Sequence, residues 1–577
     1  MKCESRMLSV SLQCVSRFLS FACFALLGFG QFADLPCAFA QADETSSQDK
    51  LRILYSNGFT FTADGLPLVT VELMSNQSQV RLGGDDAVVV LPDGDGGPVV
   101  DAGPGVWTLT VEKPTPAVVR EWTVVEEVAS GAGAERRTAM ALWKERGYTP
   151  RGFEVGTVFG VEGTVFDSRK TLLAVAPEKP PLGKRQAESI AKKYGIETSV
   201  YRELVERPRG TVVAGHSSGV VVRNPSVIWF APKNTDGTMT VLDVEHGAGG
   251  SQLGPVKKET RQYYGKLYIT VSNDGQLVAV NAVDAERLLE GLVPSEIYAN
   301  SHEEALKTQA VAARTALLSS LGMRHQAEPF LVCSTQQCQV YSGAGKANPR
   351  TTKAVRETRG QVLFRADGKL VDARYSANSG GISENNDFIW GGKPDPALRG
   401  KVDALAAKKP EWKPFLNGVT AAGVAAFLRL PADGAYAGRT GIGAKQIRWQ
   451  QTVSVTDMDR LVAESYPQVG SVRSIEPLER GFSGRIASVK LTGTKGQVQA
   501  KGDLHIRRLL GGLKSALFVV TPVGDTKVPS AFEFTGAGFG HGVGMCQSGA
   551  MGMAEAGNSY KSILAHYYTG SQVRRLY

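Results

Sequence analysis

Dense runs of basic residues are missing from this chain. Its 65 Lys and Arg against 56 Asp and Glu give a net charge of +9. The positive residues are scattered, which suits an anionic partner such as a membrane surface or a wall polymer and gives no specific sign of nucleic acid. Cysteine is scarce, at seven in 577 residues. Four of them (Cys3, Cys14, Cys23 and Cys37) fall in the first 40 positions. Cys333, Cys338 and Cys546 are too few for a disulfide framework, so an apolar core must hold the fold. Past the N-terminus no long apolar run exists that could span a membrane. Phosphate loops are missing too. Eight glycines lie between 536 and 557, but they contain neither Gly-Lys-Ser/Thr nor a G-x-G-x-x-G window. A backbone path lining a cleft, with His541 and Gln547 projecting into it, is the better reading. Gly215-His216-Ser217-Ser218-Gly219 matches the nucleophile elbow G-x-S-x-G, but a strand-like GVVVRNPSVIWF follows where that elbow needs a helix.

What is present begins with an export signal over residues 1–40. Lys2, Arg6 and Arg17 precede an apolar run from Phe18 to about Phe32, and Ala38-Phe39-Ala40 is a small-x-small cleavage site. The chain is therefore expected outside the cytoplasm, in the periplasm or cell-wall space, with a membrane anchor as the alternative if the signal is not cleaved. After cleavage no integral membrane domain is expected.

Residues 41–120 alternate short apolar stretches with Gly/Asp turns and read as a small β module. Residues 121–205 run strand, helix, strand, strand, helix, strand, with Gly147 and Gly195 ending the helices as left-handed caps do. That order predicts a ferredoxin-like module, which weakly resembles the SPOR domains that bind glycan strands. Residues 206–262 read as a β-rich connector. From 263 the chain changes character: two strands, a helix from Asp284 to Glu290, then Gly-Leu-Val-Pro-Ser-Glu ending at Glu296, then a second helix. Ser301 and Glu304 read as a capping box for that helix, and Leu306, Ala310, Ala313, Leu317 and Leu321 as its buried stripe. Glu296 is placed in a Pro-braced loop, where partial burial would keep a carboxyl protonated as a general acid requires.

The stretch from about Tyr264 to Tyr577 resembles the SpoIID/LytB family. VNAVDAERLLEGLVPSEIYANSHEEALKTQAVAARTALL, VCSTQQCQVYSG, ARYSANSGGISENNDFIW and GAGFGHGVGMCQSGAMGMAEAGNSYKSILAHYYTG occur in family order. The resemblance implies an α+β domain over 263–577, helices on mostly antiparallel sheet, that acts on peptidoglycan as a lytic transglycosylase with Glu296 as its catalytic acid. Ordinary glycosidases use two carboxylates, whereas this reaction needs one; Asp372, Glu384 and Asp387 are the candidates for a second if water attacks instead. Expected substrate contacts are Arg314, Tyr375, Ser376, Ser379, Gly380, Gly381, Trp390, His541 and Gln547. Glu296, the SANSGG segment and the GHGVG segment are expected to meet in one long groove. No cofactor is required. Cys333 and Cys338, with His325 upstream, leave three readings: a disulfide, which an oxidising compartment favours, a structural zinc site as in some relatives, or free thiols. In relatives a His often precedes the second Cys, where this chain has Gln337. The implied partners are peptidoglycan glycan strands and a cell-wall amidase. A non-catalytic amidase enhancer and a scaffold in a wall-remodelling complex are the competing readings.

Overall fold

The computed structural model describes residues 54–55 and 60–577, apart from 85–87, 95, 162–163, 177–182, 247–256, 336 and 404. The export signal lies outside the described residues. Two antiparallel sheets face each other over one core. In the first, Pro67–Gln77 and Lys266–Val271 flank the central strand Leu277–Asp284, and Val227–Pro232 continues outward. Alternate residues of Pro67–Gln77 are buried, as period-two apolar patterning requires. The second sheet is six-stranded, with Gly105–Thr115 between Val80–Gly84 and Arg209–His216. Val69, Leu82, Leu109, Val212 and Ile269 belong to one shared core.

The segments read as separate units over 41–120 and 206–262 thus share sheets with the strands that open the 263–577 domain. Neither segment is a unit of its own, because each gives strands to both sheets and those strands pair with strands of the other segment or of 266–284. The ferredoxin-like region has the order Ser199–Glu206, Val118–Ala129, Lys170–Val175, Pro150–Val155, the 4-1-3-2 arrangement of a βαββαβ unit, with all neighbours antiparallel. It is inserted between two strands, Gly105–Thr115 and Arg209–His216, that pair with each other. An extra hairpin, Val158–Val161 with Thr164–Asp167, interrupts it. At the end of Arg209–His216 the chain turns at Ser217 and Ser218 and re-enters a strand at Val221, so the serine there has no elbow.

The central strand Leu277–Asp284 is almost wholly buried and runs straight into the helix Ala285–Glu296. Asp284 caps that helix by accepting the amides of Glu286 (3.1 Å) and Arg287 (3.0 Å). The helix does not stop at Glu290. It passes through Pro294 and ends on Glu296, because a proline this close to the C-terminus removes a single intrahelical bond. The next helix, Glu303–Ser320, is capped by His302, whose Nδ1 accepts the Glu304 amide at 3.2 Å. The expected capping box does not form: Ser301 is buried with its hydroxyl on Met551 Sδ, and Glu304 accepts Lys307 and the Tyr560 amide instead. Residues 449–536 fold over their own core, including Met458, Val489, Leu491, Phe518 and Phe534. Their strands are Trp449–Ser454, Phe518–Gly524 and Pro529–Gly536 in one sheet and Val472–Arg480, Ile486–Gly493 and Gln497–Lys501 in another.

Candidate active site

Glu296, Tyr375, Trp390, His541 and Gln547 line one groove of about 1020 Å³. Glu296 is the last residue of its helix and is partly exposed. Its Oε1 accepts the Val340 amide at 3.0 Å, which leaves Oε2 as the oxygen free to carry a proton. No Lys or Arg pairs with it among the described ion pairs. Burial pushes its pKa up to about 7, against weaker opposing pulls from the Val340 amide and Tyr375. The negative end of the helix dipole acts in the same upward direction.

The buried Tyr375 hydroxyl, otherwise without a partner, faces this carboxylate. Burial first, then the Glu296 charge, keeps the phenol protonated. Tyr375–Ser376 pairs in parallel with Met545–Cys546, which fixes both to the floor. Gln547 holds the acid from behind: its Nε2 donates to the Glu296 backbone carbonyl at 2.9 Å and to Gln309 Oε1 at 3.1 Å.

His541 accepts the Val543 amide on Nδ1 at 3.0 Å, so the neutral ring carries its proton on Nε2. Burial and the charges of Arg374, Arg485 and Arg507 hold its pKa down to about 3, and the ring is neutral at physiological pH. The glycines on either side are required. Gly540 and Gly542 both have positive φ, and a side chain at Gly542 would collide with the Arg485 guanidinium. Trp390 stands at the rim, 51% exposed. Its ring meets His541 edge-on at 4.9 Å, and the Arg374 guanidinium lies 5.2 Å from its centroid. The exposed indole offers the groove a flat apolar face beside polar groups.

Several expected contacts are placed elsewhere. Arg314 is fully buried in a bidentate pair with Glu286, at 2.8 Å for each bond, and also donates to the Val355 and Gln361 carbonyls. It cannot reach a substrate. Ser379, Gly380 and Gly381 lie behind the groove. The Ser379 amide donates to Cys546 Sγ, Gly380 packs on Ala537, and Gly381 packs on Trp412. The positive φ of both glycines serves a buried turn. Ser376 does line the groove, and its hydroxyl accepts the Gly542 amide at 3.2 Å. Of the possible second carboxylates, Asp372 is bonded to Arg374 and Asp387 to Arg399, while Glu384 is buried on Phe482 and Ser483. Sequence reasoning did not identify Val340, which acts through its backbone amide and so leaves no trace in residue type. It also gave no site role to residues 502–508, whose Asp503, Leu504, His505, Arg507 and Arg508 form the far wall.

Cys333 and Cys338 are free thiols and not joined, contrary to the favoured disulfide. Their ligand atoms and those of His325 all lie within 4.8 Å of one another. His325 Nε2 is 3.3 Å from Cys338 Sγ, and His325 adopts a left-handed φ of 59°. Two thiols and an imidazole at these separations fit three corners of a zinc tetrahedron.

The family description "Stage II sporulation protein" matches residues 273–364, and a domain of unknown function, DUF8618, matches residues 384–544. The first match holds Glu296 and Val340; the second holds Trp390, His541 and residues 502–508. The chain is 30% identical over 351 residues to an uncharacterized protein of Brachyspira hyodysenteriae, spanning 59% of this chain and 83% of that one. It is 30% identical over 308 residues to the amidase enhancer of Bacillus subtilis, spanning 49% of this chain and 40% of that protein. It is 28% identical over 309 residues to the stage II sporulation protein D of Bacillus subtilis, spanning 51% and 76%.

Proposed function

Because the chain belongs to the SpoIID/LytB family, we propose that it remodels the cell wall outside the cytoplasm by cutting peptidoglycan glycan strands, as a lytic transglycosylase with Glu296 as sole acid and base. The observation that carries this reading is a carboxyl with pKa about 7, facing a groove and paired with no cation among the described residues. Such a group holds a proton at neutral pH and can release it.

Glu296 Oε2 gives its proton to the oxygen bridging N-acetylmuramic acid and N-acetylglucosamine, and the C1–O bond breaks. The resulting carboxylate takes the proton of the muramic C6 hydroxyl, whose oxygen closes on C1 to form the 1,6-anhydro end. One proton leaves and one returns, and no water is consumed. The Tyr375 hydroxyl donates a hydrogen bond to the carboxylate while that charge exists and keeps its own proton, and the Val340 amide holds Oε1 throughout. Trp390 offers a face for a sugar ring. His325, Cys333 and Cys338 would hold a zinc ion, which would act as a structural cross-link between the loop at 325 and the strand Val332–Cys333.

The test is digestion of purified peptidoglycan by the mature protein and by Glu296→Gln, read by mass spectrometry of the muropeptides. Anhydro-muropeptides from the first and none from the second are expected. Their absence from both favours the second reading, binding without turnover in support of an amidase, which the name of the Bacillus subtilis relative suggests.

A further inference from the structure

The inserted ferredoxin-like unit, residues 118–206, takes no part in the chemistry above, yet it touches both walls of the groove. On the wall of the helix Glu303–Ser320, the Gly156 amide donates to the Gly322 carbonyl at 2.7 Å. Arg202 pairs with Glu328 at 3.2 Å. Met323 packs on the apolar sheet face of Trp122, Phe153 and Leu172. On the opposite wall, the carboxylate of Glu197 accepts the Gly392 amide and occupies the space that a side chain at Gly391 would fill. Gly391 and Gly392 both have positive φ and directly follow the five-residue helix Asn386–Trp390. Glu197 therefore fastens the turn that carries the exposed rim indole.

We propose that this unit is a strut that fixes the groove's width at one end, and that Glu197 is a positioning residue for Trp390. The inference rests on the glycan reading for its substrate, a polysaccharide whose sugar face stacks on Trp390. A strand entering the groove meets an indole already held in place, so the ordering cost is met during folding and not on binding. Without Glu197 the Gly391–Gly392 turn is free to move, and Trp390 must be immobilised each time a strand binds.

The test uses the full mature chain carrying Glu197→Ala, Glu197→Gln, Trp390→Ala or both alanine changes. Glu197 is exposed, so these variants keep the fold. Hydrogen exchange of the peptide covering 386–395 reads the strut directly. Affinity for soluble glycan strands, measured in a Glu296→Gln background, reads its consequence without turnover. Glu197→Ala is expected to speed exchange at 386–395 and to weaken strand binding about threefold to tenfold, as the net loss of one ordinary hydrogen bond would. KM should rise with kcat unchanged. Glu197→Gln, which keeps an acceptor oxygen, should restore most of both, and adding Glu197→Ala to Trp390→Ala should cost nothing more. Unchanged exchange in Glu197→Ala, or additive losses in the double variant, would overturn the proposal. If the chain with Glu197 and Trp390 intact binds no glycan, the glycan reading fails, and the exchange measurement still decides the strut.

Discussion

One helix, Ala285–Glu296, carries an acidic side chain in its first turn and another in its last, with opposite fates. Glu286, in the first turn and 9% exposed, is surrounded by donors: both Arg314 bonds, the Gly360 amide and the Tyr577 hydroxyl. The positive end of the helix dipole favours its charge as well. Glu296, in the last turn, has one backbone amide and a phenol, no cation among the described residues, and the unfavourable end of the dipole. The comparison teaches that burial alone does not make an acid. Burial with a guanidinium makes a structural ion pair; burial without one makes a carboxyl that holds its proton near neutrality.

The largest effect that would break the comparison is on rate. Glu296→Gln should lower glycan cleavage by about a hundredfold to ten-thousandfold while circular dichroism and melting show an intact fold. The opposite pattern is expected for Arg314→Ala. Leaving Glu286 buried without its cation should cost about 3–5 kcal/mol of stability, seen in denaturant unfolding, with any activity loss following the folded fraction.

A smaller effect separates the two carboxyls by pH. Glu296 has a folded-state pKa raised from 4.5 to about 7, so its contribution is undiminished below pH 4.5 and is lost as pH rises through 7. The full span corresponds to about 3 kcal/mol, and partial exposure brings the expectation to about 1–3 kcal/mol. Glu296→Gln should therefore gain that much stability relative to the parent chain between pH 4.5 and pH 8. In the parent chain kcat/KM should fall above pH 7 as one proton is lost. His541, held at about 3, should add no limb between pH 4 and pH 8. The smallest effect is that of Tyr375→Phe, which removes one donor to the transient carboxylate and should slow cleavage about tenfold, by the measure of a single hydrogen bond; stopped digestion assays would show it.

The parts legible in the sequence were those written in periodicity and in short-range order. The βαββαβ order, the two helices around Glu296 and the glycines that end helices at Gly147 and Gly195, both at positive φ, follow from local rules. What escaped was written in long-range contact. Arg314 looks like a substrate contact until Glu286, 28 positions away, closes on it. Ser379-Gly380-Gly381 looks like a sugar-binding turn until Cys546, Ala537 and Trp412 pack around it. The β segments before residue 263 look separate until they pair with Leu277–Asp284 and its neighbours. Residues 502–508 carry no pattern that points to a site; only the fold of 449–536 brings them to the groove.

The central claim is that one carboxyl, without help from water, opens the glycan bond. Digestion of peptidoglycan in heavy-oxygen water tests it directly. The account predicts new muramic ends in the anhydro form that carry no heavy oxygen. Reducing ends that carry one heavy oxygen each would contradict it, because they would mean that water attacks C1 and that a second carboxylate activates it.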